Sequence, residues 1–148
     1  MRVSFQLIVT IHDIASKLER DSQVDIVLLD FAKTFDKVPH HRLLHKLEYY
    51  GVNPKTNRWI RSFLENRKQS VILEGTVSKQ VPVLSGVPQG TVLGPLLFLA
   101  YINDMPGTTT SSEIKLFADD SLLYRTINNQ TDSDLLQEDL TILKDWEN

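Results

Sequence analysis

The sequence predicts an α+β domain, a largely antiparallel sheet with helices on one face. Three observations predict it. Helix-period and strand-like segments follow one another in the order α, β, α, α, β, β, α, β, β, α. Two pairs of strand-like runs are joined by short turns, one around Glu74-Gly75 and one at Asp119-Asp120, which is hairpin spacing and therefore antiparallel pairing. With 148 residues, 41% hydrophobic and 24% charged, the chain has the size and composition of one globular domain or a piece of one.

Each element has its own signal. Leu7, Ile8, Ile11, Ile14, Ala15 and Leu18 recur at helical spacing within residues 5–18, and Asp21-Ser22-Gln23 breaks the pattern. Residues 24–30 form a nearly continuous apolar run rich in β-branched residues, read as a buried strand that ends in a carboxylate. Pro39 opens a helix to Tyr50, stopped by Gly51. Pro54 opens the next, in which Trp59, Ile60, Phe63 and Leu64 make one apolar stripe expected to lie in the core. Strands at 69–73 and 77–83 follow. Residues 85–90 hold two glycines and a proline and read as an irregular loop, and 94–102 reads as a fully buried helix. Strands at 114–118 and 121–124 carry Asp119 and Asp120 between them, at a hairpin tip. From Asp132 onward Leu135, Leu136, Leu140, Leu143 and Trp146 mark a last helix, with Thr131 or Ser133 as its N-cap.

Composition excludes several function classes. No cysteine is present, so thiol catalysis, cysteine-based zinc sites and disulfides are out. No run approaches the roughly 20 apolar residues of a membrane span, and the apolar stretch near the N-terminus lacks the features of a signal peptide, so no membrane partner and an intracellular location, cytoplasm or nucleus, are expected. The net charge of −3 hides an asymmetry. Residues 33–79 carry ten Lys and Arg against four acidic residues, and residues 113–148 carry three against nine. A basic middle beside an acidic end suits a polyanion track next to a cation site, or two solvated faces.

Asp30, Asp119 and Asp120 all fall at strand ends rather than on a helix face. If their strands are neighbours the three carboxylates converge, and converging carboxylates either rise in pKa or are neutralised by hard cations. Oxygen ligands without His or Cys favour Mg²⁺, and a pair of such ions is the clamp of phosphoryl transfer. The histidines offer little beside this, because His41 and His45 stand one helical turn apart with no further ligand at suitable spacing for zinc.

These residues carry a resemblance. Leu28-Leu29-Asp30-Phe31-Ala32-Lys33-Thr34-Phe35-Asp36-Lys37-Val38-Pro39-His40, then Ser85-Gly86-Val87-Pro88-Gln89-Gly90-Thr91-Val92-Leu93-Gly94-Pro95, then Leu116-Phe117-Ala118-Asp119-Asp120 resemble, in order and spacing, three successive palm motifs of reverse transcriptases. The likeness is to non-LTR retrotransposons of the jockey and chicken-repeat type and runs through nearly the whole chain. It departs at Phe117, where many reverse transcriptases have Tyr, and at Thr34, where Ala is usual. The resemblance implies a right-hand polymerase palm core that adds dNTPs to a DNA primer on an RNA template, using two Mg²⁺ ions, with Mn²⁺ as a substitute. It implies Asp30 and Asp119 as metal ligands, the carbonyl of Phe31 completing the coordination, and Asp120 as the third carboxylate. Phe35 would exclude ribose 2′-hydroxyls, and Gln89 and Gly90 would border the nucleotide and template. It also implies that residues 1–148 are a partial reverse transcriptase domain, the end of the fingers plus the palm, with the remaining fingers, the primer grip and the thumb belonging to a larger polyprotein. The isolated piece is then expected to be inactive. The competing readings are a decayed, non-catalytic retroelement fragment and the palm of another right-hand polymerase, such as an intron maturase or a viral RNA polymerase.

Overall fold

In chain order the elements are α1 (Arg2–Leu18), β1 (Gln23–Asp30), α2 (Thr34–Lys37), α3 (His40–Tyr49), α4 (Pro54–Leu64), β2 (Lys68–Gln69), β3 (Ile72–Leu73), β4 (Thr76–Val77), β5 (Val81–Pro82), α5 (Leu93–Ile102), a 3-10 turn at Met105–Gly107, β6 (Glu113–Phe117), β7 (Asp120–Ile127) and α6 (Gln130–Glu147). The computed structural model describes residues 2–19, 22–30, 34–117 and 120–147. The α+β class holds, and every strand pair among the described residues is antiparallel. The elements gather into two compact units, one of residues 1–31 with 104–148 and one of residues 32–103.

The first unit is built on a three-stranded sheet of order β1-β7-β6. β1 and β7 pair without a break from Gln23↔Ile127 to Asp30↔Asp120. Side chains alternate between the two faces of such a ladder. Val27, Leu29, Leu123, Ile114 and Leu116 point to one face, where Leu136, Leu140, Leu143 and Trp146 of α6 cover them together with Met105. Asn129 caps α6 by accepting from the N–H of Asp132 at 3.2 Å, in place of the expected Thr131 or Ser133. The opposite face carries Tyr124, fully buried, whose hydroxyl lies 2.6 Å from Asp13 Oδ2 and 2.9 Å from Glu113 Oε2. Lys17 of α1 closes the group with a 2.7 Å ion pair to Glu113.

Helices therefore lie on both faces of this sheet, α6 on one and α1 over the Tyr124 end of the other, where one helical layer was expected. The reading of β1 as a buried strand is corrected for the same reason. β1 is an edge strand, and beyond Tyr124 its second face is uncovered, leaving Ile26 at 46% and Leu28 at 79% exposure. α1 turns its polar side, Asp13 and Lys17, to the sheet and leaves Leu7, Ile8 and Ile11 at least half exposed.

In the second unit α3 packs on α4 and α5. Leu43, Leu44 and Leu47 of α3 meet Ile60 and Leu64 of α4 and Leu97, Phe98, Tyr101 and Ile102 of α5 in the set of buried side chains. α3 ends at Gly51 as expected, with Val52 N–H donating to Leu47 O and Gly51 N–H to Glu48 O, both at 2.9 Å, the two bonds of a Schellman motif. Asn53 caps α4 by accepting from Lys55 N–H at 2.8 Å, with Pro54 in the first turn. Trp59 is not in the core. It is 59% exposed and stacks on Phe63 with ring centroids 5.9 Å apart, because the stripe is wider than the surface available to bury it. α5 is likewise buried along one side only, since Leu96 and Leu99 remain exposed.

The two strands expected between 69 and 83 are four short ones, β2 with β5 and β3 with β4. Two residues separate β2 from β3 and three separate β4 from β5, so one strand carries an extra residue and the ladder bends there, as at a bulge. At its tip Glu74 and Gly75 both take positive φ, +49° and +79°, which a two-residue primed turn requires. Among the described residues no helix is long and apolar enough to cross a membrane.

Candidate active site

Asp30 and Asp120 are the last cross-strand pair of the β1–β7 ladder. Residues directly opposite on antiparallel strands hold their Cβ atoms about 4.5–5.5 Å apart and on the same face. Both carboxylates are exposed, and they share that face with Leu28 and Leu122. They line a cleft of about 540 Å³ whose other walls include Leu7, Phe117 and Ser121. Like charges placed directly opposite repel and cost stability. Such a pair, with oxygen donors alone, is suited to a hard cation such as Mg²⁺.

β6 pairs with β7 as a tight hairpin whose last partners are Phe117 and Asp120. Asp120 therefore begins β7 rather than sitting at the tip. Asp119, and Phe31 after Asp30, lie outside the described residues. Among the described residues no three His, Cys, Asp or Glu side chains form a metal-binding group.

The other expected site residues belong to the second unit. Phe35 is half-buried in the short helix α2, its ring 4.6 Å from that of Phe98 in α5. The loop 85–90 is pinned to this segment by backbone: Gly86 N–H donates to Val38 O at 2.8 Å and Val87 N–H to Phe35 O at 2.7 Å. The Ser85 hydroxyl donates to Asp36 O at 2.8 Å, and His40 Nε2 lies 2.8 Å from Gly86 O. Gly86 sits at φ +87°, and a Cβ there would stand 2.7 Å from the backbone of Phe35 and Asp36. Only glycine fits both conditions. At the far end of the loop Thr91 Oγ1 donates to Pro88 O at 2.8 Å and accepts from Gly94 N–H at 3.0 Å, tying the loop to the first turn of α5.

Between these anchors Gln89 and Gly90 are exposed, and Gln89 Nε2 donates to Asp36 Oδ1 at a long 3.5 Å. The structure thus joins Phe35 to the Gln89 loop and Asp30 to Asp120. Sequence reasoning missed Asp36 and Arg67, which line one polar cavity with Gln89. Arg67 was visible only as part of a basic stretch, and no spacing rule connects it to Gln89 and Asp36, 22 and 31 positions away.

A family model described as reverse transcriptase (RNA-dependent DNA polymerase) matches residues 3–148. The chain belongs to the reverse transcriptase family. It is 35% identical over 137 residues to the RNA-directed DNA polymerase from mobile element jockey of Drosophila funebris, covering 87% of this chain and 15% of that protein. Identity is 30% over 152 residues to the probable RNA-directed DNA polymerase from transposon X-element of Drosophila melanogaster, covering 95% of this chain and 16% of the relative. It is 26% over 124 residues to the retrovirus-related Pol polyprotein from type-1 retrotransposable element R2 of Popillia japonica, with coverages of 76% and 20%. This reverse transcriptase chain spans about 15% of the length of the jockey protein it matches. The likeness to the jockey type is thereby established.

Proposed function

We propose that the chain is the catalytic palm of an RNA-directed DNA polymerase of the non-LTR retrotransposon kind, taking an RNA template, a DNA primer and dNTPs. The observation that carries the reading is the pairing of Asp30 with Asp120 on an open sheet face. Asp30 and Asp119 are the carboxylates assigned to hold two Mg²⁺ ions, or Mn²⁺ in their place, with Asp120 beside them and the carbonyl of Phe31 as a further oxygen ligand. When bound, such ions lower the pKa of the primer 3′-hydroxyl and offset the charge of the leaving pyrophosphate. Phe35, braced by Phe98, presents a rigid ring that leaves no room for a ribose 2′-oxygen. Gln89 and Gly90 offer an amide and a bare stretch of backbone to the nucleotide and the template. Residues 1–148 correspond in this reading to the end of the fingers and the palm, and they act together with the remaining fingers, the primer grip and the thumb.

The test uses Asp30→Asn and Asp119→Asn in a polymerase containing these residues. Loss of an ion clamp costs several kcal/mol of transition-state stabilisation, so primer extension should fall on the order of a thousandfold. Removing one of two opposed charges should leave thermal stability of the Asp30 variant equal or raised, by roughly 0.2–1 kcal/mol. Near-normal extension by either variant overturns the assignment.

A further inference from the structure

Arg67 precedes β2 and lines a polar cavity of about 280 Å³ in the second unit, together with Asp36, Gln69, Ser85 and Gln89. Its Nη1 is closed off from solvent and has no hydrogen-bond partner. With Nη1 closed off, what Arg67 offers a ligand is the part of its guanidinium that lines the cavity, and a hydrogen bond from a charged donor to a ligand oxygen is a strong one. The walls are set before any ligand arrives, since Gly86 and Val87 N–H donate to Val38 O and Phe35 O and the Ser85 hydroxyl donates to Asp36 O.

The lining selects the ligand. A guanidinium fork matches the oxygens of a phosphate. Asp36, also in the lining, repels a phosphate but accepts from a hydroxyl, so a fitting ligand presents an anionic group to Arg67 and a hydroxyl to Asp36. One sugar-phosphate unit of RNA has both, and its 2′-hydroxyl is what separates it from DNA. Residues 33–79, which contribute Arg67 and Asp36, are also the basic stretch of the chain, as a polyanion track requires.

We propose that this cavity binds one sugar-phosphate unit of single-stranded RNA, Arg67 donating to the phosphate and Asp36 accepting from the ribose 2′-hydroxyl. The proposal rests on the reading of the chain as a polymerase that copies RNA, and it adds the residues that tell an RNA template from a DNA one.

The experiment measures anisotropy of end-labelled decauridylate and of its deoxythymidylate counterpart with the 148-residue chain, in chelator so that the carboxylate pair plays no part, over a series of salt concentrations. Circular dichroism melts verify folding. Arg67→Gln should weaken both oligonucleotides about tenfold and lower the salt slope by about one. Arg67→Lys should restore the slope but not the full affinity, because the charge returns without the fork. Asp36→Ala should erase the preference for the ribo-oligonucleotide while leaving the salt dependence of the deoxy one. Unchanged affinity in folded Arg67→Gln, or an unchanged ribose preference in Asp36→Ala, overturns the proposal. Displacement of the Arg67-dependent signal by millimolar uridine triphosphate also overturns it and assigns the cavity to a free nucleotide. Binding and chemistry fail separately: if these results hold while Asp30→Asn still extends primers, the polymerase reading falls and the RNA site stands.

Discussion

At the scale of single residues, Asp139 shows how this chain uses a buried charge. It is 1% exposed on α6, and its two oxygens accept from Thr110 N–H at 2.9 Å and Ser111 N–H at 3.1 Å, fastening the loop before β6. Burial pushes its carboxyl up, but these N–H groups outweigh burial and hold it below the ordinary range. Asp139→Asn should cost about 1–3 kcal/mol at pH 7 in urea unfolding, because an amide nitrogen then faces a backbone donor. A carboxyl depressed by folding stabilises above its unfolded pKa, about 3.9, and that contribution is lost as pH falls through the folded value. The wild-type and Asn curves should therefore converge below pH 4, and a constant gap there would refute the account. Phe35 supplies a second residue-scale prediction. Phe35→Val in a polymerase containing the chain should raise kcat/KM for ribonucleotides relative to deoxyribonucleotides, since the space opened admits one oxygen. An unchanged ratio would leave the ring as packing against Phe98 alone.

Among the elements, the loop 85–90 depends on close backbone approach. Gly86→Ala forces a Cβ to within 2.7 Å of Asp36 and strains a left-handed residue, so it should destabilise the chain by roughly 1–3 kcal/mol and move Gln89 away from Asp36. A chemical-denaturation midpoint equal to wild type would show that the loop is not held this way. This loop was legible in sequence because its glycines and proline stand together, and so were the Glu74-Gly75 turn and the Gly51 stop of α3, whereas Asp120, expected at a hairpin tip, is already paired in β7. The β1–β7 pairing was legible only as a condition, that the strands be neighbours. What stayed hidden depends on partners far along the chain. Trp59 sits in a stripe that looks like core, yet nothing in the stripe says that the surface beneath it ends at Ile60 and Leu64. α1 looks amphipathic with its apolar side inward, whereas the Tyr124 hydroxyl and Glu113, more than 95 residues away, draw in its polar side. The Arg67 cavity escaped for the same reason, being assembled from three separate segments.

Across the whole molecule, acidic carboxylates gather on one unit and the basic track on the other. Catalysis in the proposed reaction needs both, and positioning supplies roughly 7–11 kcal/mol in well-oriented reactions. The 148-residue chain alone should therefore show no primer extension above an Asp119→Asn control with Mg²⁺ or Mn²⁺, since holding a primer helix and a triphosphate falls to the proposed fingers and thumb. Extension above that control would show that these residues suffice. The unbroken β1–β7 ladder also bears on how such a gene can change length. Eight consecutive pairs end at Asp30 and Asp120, so one codon inserted within β1 turns every later side chain, Asp30 included, to the opposite face and parts the two carboxylates, while one within β7 breaks the match of the residues after Asp120 with β1. The bent hairpin of β2 to β5 already houses a surplus residue between Gln69 and Val81, and a further one there widens a bend without disturbing any pair. Insertions and deletions among related sequences that keep the fold should accordingly collect between residues 70 and 80 and spare residues 23–30 and 120–127.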